Sequence, residues 1–361
     1  MKYHIALTKI NADRISRELN QEKVHRSDLL LLAKYLNASF IKQQDYPIKP
    51  LDRVRAKFSG TPANWAFARA IADQLGEDDL VFCPGEEIGI PLATVCRSKK
   101  VRPRIVVWLH RITGLRTRVA LKLFDLAHAA DLFVVTNLTN KEFLETYLGL
   151  PGKQILFLRH FVDDRFFTPG TGKLQSRSLI ASVGLEFRDY KLLASATADL
   201  DLDVKIAGFS QFQSRTAEYL PKVMPANMSN KKYSWSELID LYRSADLVVI
   251  CLKENTTAAG VTVLLEAMCC QKPIICTHTQ GLKEYLQDEK AVITVESGNV
   301  RELRNAIIYL LEHPEEARQM GEYALQLVRE RHNLDTQVKV LGDFIQTIEH
   351  LKVASNAPNK K

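Results

Sequence analysis

A short loop and the helix predicted after it hold the groups best suited to chemistry in this sequence. The loop residues 258–260, Ala-Ala-Gly, lead into a helical run predicted over 261–270. Free N–H groups and the positive end of the helix dipole favour a bound phosphate at such a start, and only small residues let a diphosphate approach the backbone closely. Glu266 follows roughly one and a half turns later, where its carboxylate could accept hydrogen bonds from a ribose diol. The spacing is compatible with a nucleoside diphosphate as the ligand.

The flanking residues predict the elements that position this helix. Leu247 to Cys251 is an apolar run typical of a buried parallel strand, and a second strand is predicted from Pro273. Strand, loop, helix and strand make one βαβ unit. A structural alternative stays open, because many helices carry one partly buried glutamate and Ala-Gly before a helix is often only a cap.

The residues 264–286, LLEAMCCQKPIICTHTQGLKEYL, resemble the nucleotide-sugar signature of glycosyltransferase family 4. The matching positions are Leu265-Glu266-Ala267-Met268, Lys272-Pro273-Ile274-Ile275, Gly281 and Glu284. The resemblance implies an α/β fold of GT-B architecture, in which two Rossmann-like domains face each other across a cleft. It also implies transfer of a sugar from a nucleoside diphosphate to a hydroxyl acceptor, with retention of the anomeric configuration.

Two positions depart from the family pattern on the donor side. Family members commonly carry an acidic residue eight positions before the helix glutamate, where this chain has Ala258. The nearest other acid, Glu254, is therefore a candidate for contact with the sugar. The family also has an arginine directly after a glycine that corresponds to Gly184, and Leu185 stands there instead.

The resemblance gives Arg188 the place of a conserved family lysine that grips the donor diphosphate. A guanidinium can bind two phosphate oxygens at once, and Lys191 is a second candidate by proximity alone. With the helix start Gly260-Val261-Thr262, Arg188 would stabilise the departing diphosphate electrostatically, while Glu266 holds the ribose. No metal ion is then required and no D-x-D motif is present. We expect no cofactor besides the nucleotide sugar as co-substrate.

Candidates on the acceptor side follow two strands predicted in the first half of the chain. The strand over 104–109 ends at His110, and the resemblance places a histidine here beside the transferred sugar. The alternative is a strand-end histidine with a backbone partner. Glu86 and Glu87 follow a predicted strand, where loops line the cleft of open α/β sheets, and could act as a base or contact sugar hydroxyls. Alternatively, they only begin a helix, where acids suit the dipole.

The positive charge of the chain is concentrated in one segment. The net charge is +7, yet residues 97–122 alone hold nine Lys or Arg and no acid, and the rest of the chain has 40 basic against 42 acidic residues. Apolar and basic residues mixed on a predicted helix suit an anionic membrane surface, with Arg111, Arg116, Arg118 and Lys122 as candidates to face it. A packed helix with a solvated basic edge is the alternative. No nucleic-acid motif accompanies the charge, so nucleic acid is not expected as a partner.

Length and composition suggest two domains in the cytoplasm. Length favours two domains. The resemblance implies that the domain over 1–172 is on the acceptor side, that the domain over 173–334 binds the nucleotide sugar, and that a helix over 335–352 crosses back to the first domain. A flexible tail is expected over 353–361. The start of the chain reaches charged residues too soon for a signal peptide, which predicts a cytoplasmic protein, peripheral at the inner membrane face. The six cysteines lack metal-site spacing and are predicted to be small hydrophobes.

Two functional hypotheses follow from these patterns. The first is a metal-independent hexosyltransferase whose acceptor is a lipid, a glycan or a small molecule. The second is a catalytically inactive GT-B-like protein that binds a nucleotide sugar or a partner. The departures at Ala258 and Leu185 favour the second, as does the segment Thr8-Lys9-Ile10-Asn11, where many relatives have a Gly-Gly pair. Glu266 and His110 favour the first.

Overall fold

Two compact units make up the chain, and each is described by itself. The computed structural model describes residues 1–20, 25–110, 112, 114–208 and 219–355. The first unit contains the described residues up to 159, apart from His25, together with residues 335–355, and the second contains His25 and the described residues from 160 to 334.

The first unit is built on a sheet of six parallel strands. Their order across the sheet is β2-β1-β3-β4-β5-β6. The strands are β1 Lys2–Leu7, β2 Ser39–Lys42, β3 Asp79–Cys83, β4 Arg104–Leu109, β5 Leu132–Val135 and β6 Ile155–Phe157. The middle strands are nearly continuous apolar runs because helices cover both faces of a parallel sheet.

Helices pack on this sheet and follow most of its strands. Their bounds are α1 Lys9–Asn20, α2 Asp28–Leu36, α3 Pro50–Arg55, α4 Pro62–Gln74, α5 Glu86–Arg97, α6 Leu115–Leu123, α7 Leu126–Ala129 and α8 Leu138–Leu148. Local sequence fixes where α4 begins, because Thr61 accepts a hydrogen bond from Asn64 N and Pro62 occupies the first helical position. The last helix, α14, spans Leu334–Ser355, and its Gly342 packs against the ring of Tyr35 in α2.

The second unit repeats the architecture with a different strand order. Six parallel strands run β12-β11-β10-β7-β8-β9 across its sheet. The strands are β7 Ser178–Val183, β8 Leu202–Ala207, β9 Met228–Asn230, β10 Leu247–Ile250, β11 Ile274–Thr277 and β12 Ile293–Val295. The helices are α9 Tyr190–Thr197, α10 Trp235–Ser244, α11 Val261–Cys269, α12 Val300–Glu312 and α13 Pro314–Arg331.

Two apolar clusters, one on each face, hold the second sheet between its helices. One joins α10 and α11 to the sheet through residues such as Tyr242, Val261 and Leu265, and the other joins α9 and α12 through Leu193 and Ile307. Ser234 and Glu237 form a capping box at the start of α10, which fixes where this helix begins. Within the described ranges, no helix combines the length and the apolarity needed to cross a membrane.

Candidate nucleotide site and acceptor-side cluster

The strand order of the second unit reverses between β7 and β10. From β7 the chain crosses through α9 to β8 on one side, whereas from β10 it crosses through α11 to β11 on the other side. Open α/β sheets bind ligands beyond the carboxyl ends of their strands at such a switch point. The loops after β7 and β10, residues 184–189 and 251–260, therefore form the candidate site.

Backbone hydrogen bonds tie these two loops together. Asp189 N donates to Cys251 O at 3.0 Å, and Lys253 N donates to Phe187 O at 2.8 Å. Arg188 and Leu252 form an isolated antiparallel bridge between them. The residues that follow β7 are thus held beside the residues that lead to α11.

The start of α11 is open and carries no side-chain cap. Gly260 has φ 94°, a left-handed conformation, and a Cβ there would lie 3.2 Å from both Ile250 Cγ2 and Leu252 Cδ1. The first backbone bond of the helix runs from Leu264 N to Gly260 O at 2.9 Å, which leaves the N–H groups of Thr262 and Val263 outside the helical pattern. Thr262 is exposed. The helix start therefore presents N–H donors at the positive end of the helix dipole.

Close backbone packing supports the loop that leads to this helix. A Cβ at Gly281 would lie 1.6 Å from Thr257 O, and Gly281 N donates to Asn255 O at 3.1 Å. The Asn255 side chain accepts from Thr257 N at 3.2 Å and from Thr257 Oγ1 at 3.1 Å. Glu254, a candidate for contact with the sugar, is exposed and accepts from Gln280 N at 3.2 Å. The Glu254 carboxylate therefore adds a second hydrogen bond between the loop before α11 and the segment that contains Gly281.

Arg188 lies inside the site rather than at its surface. The side chain is 2% exposed, and it donates from Nε to Val183 O at 2.8 Å and from Nη1 to Glu186 O at 3.0 Å. Gly184 makes room for it, since a Cβ there would lie 2.3 Å from Nη2. Nη1 lies 3.6 Å from the position of a Cβ on Gly260. The guanidinium thus places a buried positive charge beside the start of α11.

Glu266 lies on the same helix, at the bottom of the site. The residue is 5% exposed, and its Oε2 accepts a hydrogen bond from the Tyr242 hydroxyl at 2.7 Å. Burial raises the pKa of Glu266 to about 7, against the opposing effects of the Tyr242 hydrogen bond and the Arg188 charge. Its other oxygen, Oε1, has no hydrogen-bond partner among the described residues and is not fully enclosed. The structure brings Arg188, the helix start and Glu266 together as a set.

Lys191 does not belong to this set. It is exposed on the first turn of α9 and lines a separate groove with Ala194, Lys222 and Pro225. Asp189 caps α9 by accepting from Leu192 N at 3.1 Å, which fixes how that first turn points.

His110 and Glu86 meet at the carboxyl ends of β3 and β4 in the first unit. His110 is exposed, its Nε2 lies 3.0 Å from Pro84 O, and its backbone N donates to Glu86 Oε2 at 3.0 Å. Nε2 must carry the proton in this contact because a carbonyl oxygen can only accept, so Nδ1 of the neutral ring is the acceptor. Asn140 Nδ2 donates to His110 O at 3.2 Å. Glu86 begins α5, as the structural alternative expected, and its carboxylate also holds the backbone of His110.

Glu87 folds back over the start of α5. A Cβ on Gly85 would lie 2.1 Å from Glu87 Oε2, and Asn64 Nδ2 donates to Glu87 O at 2.9 Å. Burial raises the pKa of the Glu87 carboxyl, and the nearby Glu86 adds to that rise while His110 opposes it. The first unit therefore gathers His110, Glu86 and Glu87 into one polar cluster.

The basic helix of the first unit is α6, and it begins at Leu115. Arg116 donates to Phe58 O at 3.1 Å and to Ala56 O at 2.6 Å. The Arg118 guanidinium lies 5.0 Å from the centroid of the Tyr147 ring, and Lys122 Nζ lies 4.1 Å from the same centroid. Arg111, the fourth candidate, lies outside the described residues.

The sequence did not identify Tyr242 or Asn255 as part of the site. Tyr242 lies within the segment LYRSAD, which precedes the strand at Leu247. A tyrosine on an otherwise apolar helix face indicates a buried polar contact, because a buried hydroxyl needs a hydrogen-bond partner. Asn255 gives a weaker signal, since asparagine is common in turns for local reasons.

Comparison with known proteins finds a match that includes the loop after β10 and α11 but begins just after Arg188. Residues 190–327 match the family model described as "Glycosyl transferases group 1". An uncharacterized glycosyltransferase of Methanocaldococcus jannaschii is 25% identical over 135 residues, which is 36% of this chain and 37% of that protein. The match thus spans little more than a third of the length of that curated relative.

Solved structures resemble the chain over nearly its whole length. A glycosyltransferase from Rickettsia africae aligns with a TM-score of 0.70 and 12% identity, over 99% of this chain and 100% of that one. Anabaena HepE in complex with UDP and glucose aligns at 0.69 with 12% identity, over 96% of this chain and 100% of that one. Sucrose-phosphate synthase from Thermosynechococcus elongatus aligns at 0.72 with 15% identity, over 98% and 100%. The chain therefore has the α/β fold of GT-B glycosyltransferases.

Proposed function

We propose that the chain is a glycosyltransferase of family 4 that moves a hexose from a nucleoside diphosphate to a hydroxyl acceptor with retention of configuration. One observation carries the proposal: the open start of α11 lies beside the buried charge of Arg188, with Glu266 on the same helix. A departing diphosphate gains negative charge as the glycosidic bond breaks, and oriented N–H groups with a fixed cation stabilise that charge.

Each residue of the set has a separate task in this proposal. The helix start at Gly260-Val261-Thr262 binds the diphosphate. Val261 N donates to Ala258 O at 3.2 Å, so the donors are the N–H groups outside the helical pattern, such as that of Thr262. Arg188 supplies the cation, and Glu266 Oε1 accepts from the ribose hydroxyls. The family resemblance assigns His110 of the first unit to the transferred sugar. No metal ion and no further cofactor enter this scheme. A nucleotide sugar as donor is in keeping with the Anabaena structure, which holds UDP and glucose.

We expect Glu266→Gln to release diphosphate from UDP- and GDP-sugars about 10-fold to 150-fold more slowly than the wild-type chain, because charge-assisted hydrogen bonds are worth about 1.5–3 kcal/mol. The variant should not be less stable at about pH 8. The folded-state pKa of Glu266 is about 7, above the ordinary value of 4.5 for a glutamate, so the stability contributed by its neutral form is lost as pH rises through 7. Glutamine avoids this loss. Coupled detection of free UDP or GDP and thermal unfolding measure the two effects.

Glu312→Gln is the matched control, because Glu312 is exposed at the end of α12 in the same unit. Turnover by Glu266→Gln at the rate of this control would contradict the proposal. Stabilisation by nucleotide without turnover of either donor would instead support a protein that binds nucleotide sugar without transferring it.

We also propose that α6 lies on an anionic membrane surface, with the chain at the cytoplasmic face and the acceptor carried by a lipid. Leu115, Val119 and Leu123 follow one another at the four-residue helical spacing and are 79%, 42% and 54% exposed. Arg118 and Lys122, both exposed, lie on the same helix. Apolar side chains beside lysine and arginine suit the boundary between headgroups and acyl chains.

Sedimentation with vesicles measures whether this helix binds a membrane surface. We expect the wild-type chain to pellet with phosphatidylglycerol vesicles but not with pure phosphatidylcholine, and to be released as salt rises to about 0.5 M. The triple substitution L115S, V119S and L123S should abolish pelleting, whereas Val101→Ser, at a residue 57% exposed elsewhere in the unit, should leave it unchanged. Equal pelleting of the triple variant and the wild-type chain would contradict the proposal.

A further inference from the structure

The hydroxyl of Tyr242 is committed to a single partner. Tyr242 lies on α10, is fully buried, and donates its one hydroxyl hydrogen to Glu266 Oε2 at 2.7 Å. Its ring packs edge-on against Phe167, with centroids 6.2 Å apart, and belongs to the apolar cluster that includes Val261 and Leu265. The ring cannot turn without disturbing this packing, so the direction of the hydroxyl is fixed.

This contact makes the two oxygens of Glu266 unequal. Oε2 is occupied by Tyr242, whereas Oε1 has no hydrogen-bond partner in the described chain and is not fully enclosed. A carboxylate held at one oxygen presents the other in one direction only. The contact therefore fixes the orientation of the group that the proposed function assigns to the ribose.

We propose that Tyr242 is a positioning residue whose hydroxyl orients Glu266 so that Oε1 accepts from a ribose diol, and that discrimination between ribonucleotide and 2′-deoxyribonucleotide diphosphates depends on it. The inference rests on the proposed function, because it requires a nucleotide at the start of α11. Tyr242 touches no reacting atom. It acts through Glu266.

The ionisation of Glu266 gives the inference a second observable. The titratable groups that face this carboxylate are Tyr242 from α10, Arg188 from the loop after β7, and Cys269 and Cys270 from its own helix. Burial raises the pKa of both thiols, so they stay neutral. Burial also raises the pKa of Glu266 to about 7, and the Tyr242 hydrogen bond opposes that rise. Loss of the hydroxyl should therefore raise the pKa of Glu266 further.

The pH dependence of nucleotide binding follows from the direction in which the pKa of Glu266 shifts. The ionised carboxylate accepts from Tyr242 and the ribose at once, whereas protonation of Oε1 removes an acceptor. Affinity should therefore fall as pH decreases through the pKa of Glu266. In Tyr242→Phe the fall should begin at a higher pH than in the wild-type chain.

Titration calorimetry with UDP, GDP and their 2′-deoxy forms over about pH 6 to 9 tests the inference on the full chain. We expect Tyr242→Phe to weaken ribonucleotide binding by about fivefold to tenfold at pH 7, since one hydrogen bond to a charged group is lost. Binding of the 2′-deoxy forms should change less, so that the preference for ribose shrinks. Tyr309→Phe is the matched control, because Tyr309 donates to Glu316 in another tyrosine–glutamate pair of this unit, at the surface.

A second variant tests the inference in case Tyr242→Phe folds poorly. Site-specific 3-fluorotyrosine at position 242 keeps the ring and strengthens the donor, so the pH at which affinity falls should move down rather than up. A wild-type chain that binds neither UDP nor GDP overturns the proposed function, and the inference with it. A wild-type chain that binds nucleotide, with variants that keep its ribose preference and pH profile, overturns the inference alone.

Discussion

Arg188→Ala is expected to lower the free energy of unfolding of the second unit by about 3–5 kcal/mol, the cost of removing one partner from a buried charged set. The side chain is 2% exposed, and it donates to Val183 O and Glu186 O. Alanine leaves both carbonyl groups without these donors and opens a cavity beside Gly184, where Nη2 now fills the space of a Cβ. The same change removes the cation next to the start of α11, so nucleotide binding should also be lost.

Urea unfolding followed by circular dichroism measures the free energy of unfolding, and its comparison at about pH 5 and about pH 9 gives the direction of the pH dependence. The pKa of Glu266 is raised by burial, and without Arg188 it should rise further. A raised folded-state pKa gives stability that is lost as pH increases through it, so the deficit of Arg188→Ala should be larger at the higher pH. Arg301→Ala, at an exposed position on α12, is the control. A deficit no larger than that of the control would contradict the assigned role of the buried guanidinium.

Gly281→Ala is the second substitution expected to have a large effect. A Cβ at this position would lie 1.6 Å from Thr257 O and 2.7 Å from Thr257 N, and neither backbone atom can move away cheaply. Movement would break the contact of Gly281 N with Asn255 O and the side-chain bonds of Asn255 to Thr257. We expect a loss of about 3 kcal/mol from this overpacking. Donor turnover should fall as well, because residues 253–259 lead directly to Gly260.

Gly76→Ala provides the comparison for this position. The nearest heavy atom to a Cβ on Gly76 is Val101 Cγ1, at 3.7 Å, which is an ordinary contact. Its expected effect on stability is within about 0.5 kcal/mol. Thermal unfolding and diphosphate release are measured for both variants. The comparison shows whether the loss in Gly281→Ala comes from its close backbone contact or from any replacement of a glycine by alanine. If Gly281→Ala matched Gly76→Ala in both measurements, the support assigned to this contact would be wrong.

The sequence predicted the elements around the site closely because their apolar runs are long and sharply bounded. The strand expected from Leu247 and the helix expected from Val261 begin at those residues in the structure. The two-unit α/β fold was also predictable, and the family resemblance identified it as GT-B. These features are local, since each depends on neighbours within a few residues.

Contacts between distant residues could not be predicted in the same way. Arg188 was expected to reach a ligand, yet two of its nitrogen atoms donate to carbonyl groups of its own loop, because the turn after Gly184 folds the side chain inward. The partner of Glu266 lies 24 residues earlier, on another helix, and no pattern in the sequence joins them. Lys191 follows Arg188 by three positions but faces a different groove, because α9 begins between them.

The six cysteines have a practical consequence for experiments on this chain. All are buried, and burial raises the pKa of Cys96 to about 11 and that of Cys270 and Cys276 to about 12. Alkylating reagents attack thiolates at accessible positions, so the folded chain offers them no ready target. A cysteine introduced at Thr262, which is exposed on the first turn of α11, would then be the fast-reacting position. A fluorophore attached there would report occupancy of the helix start without removal of any native cysteine.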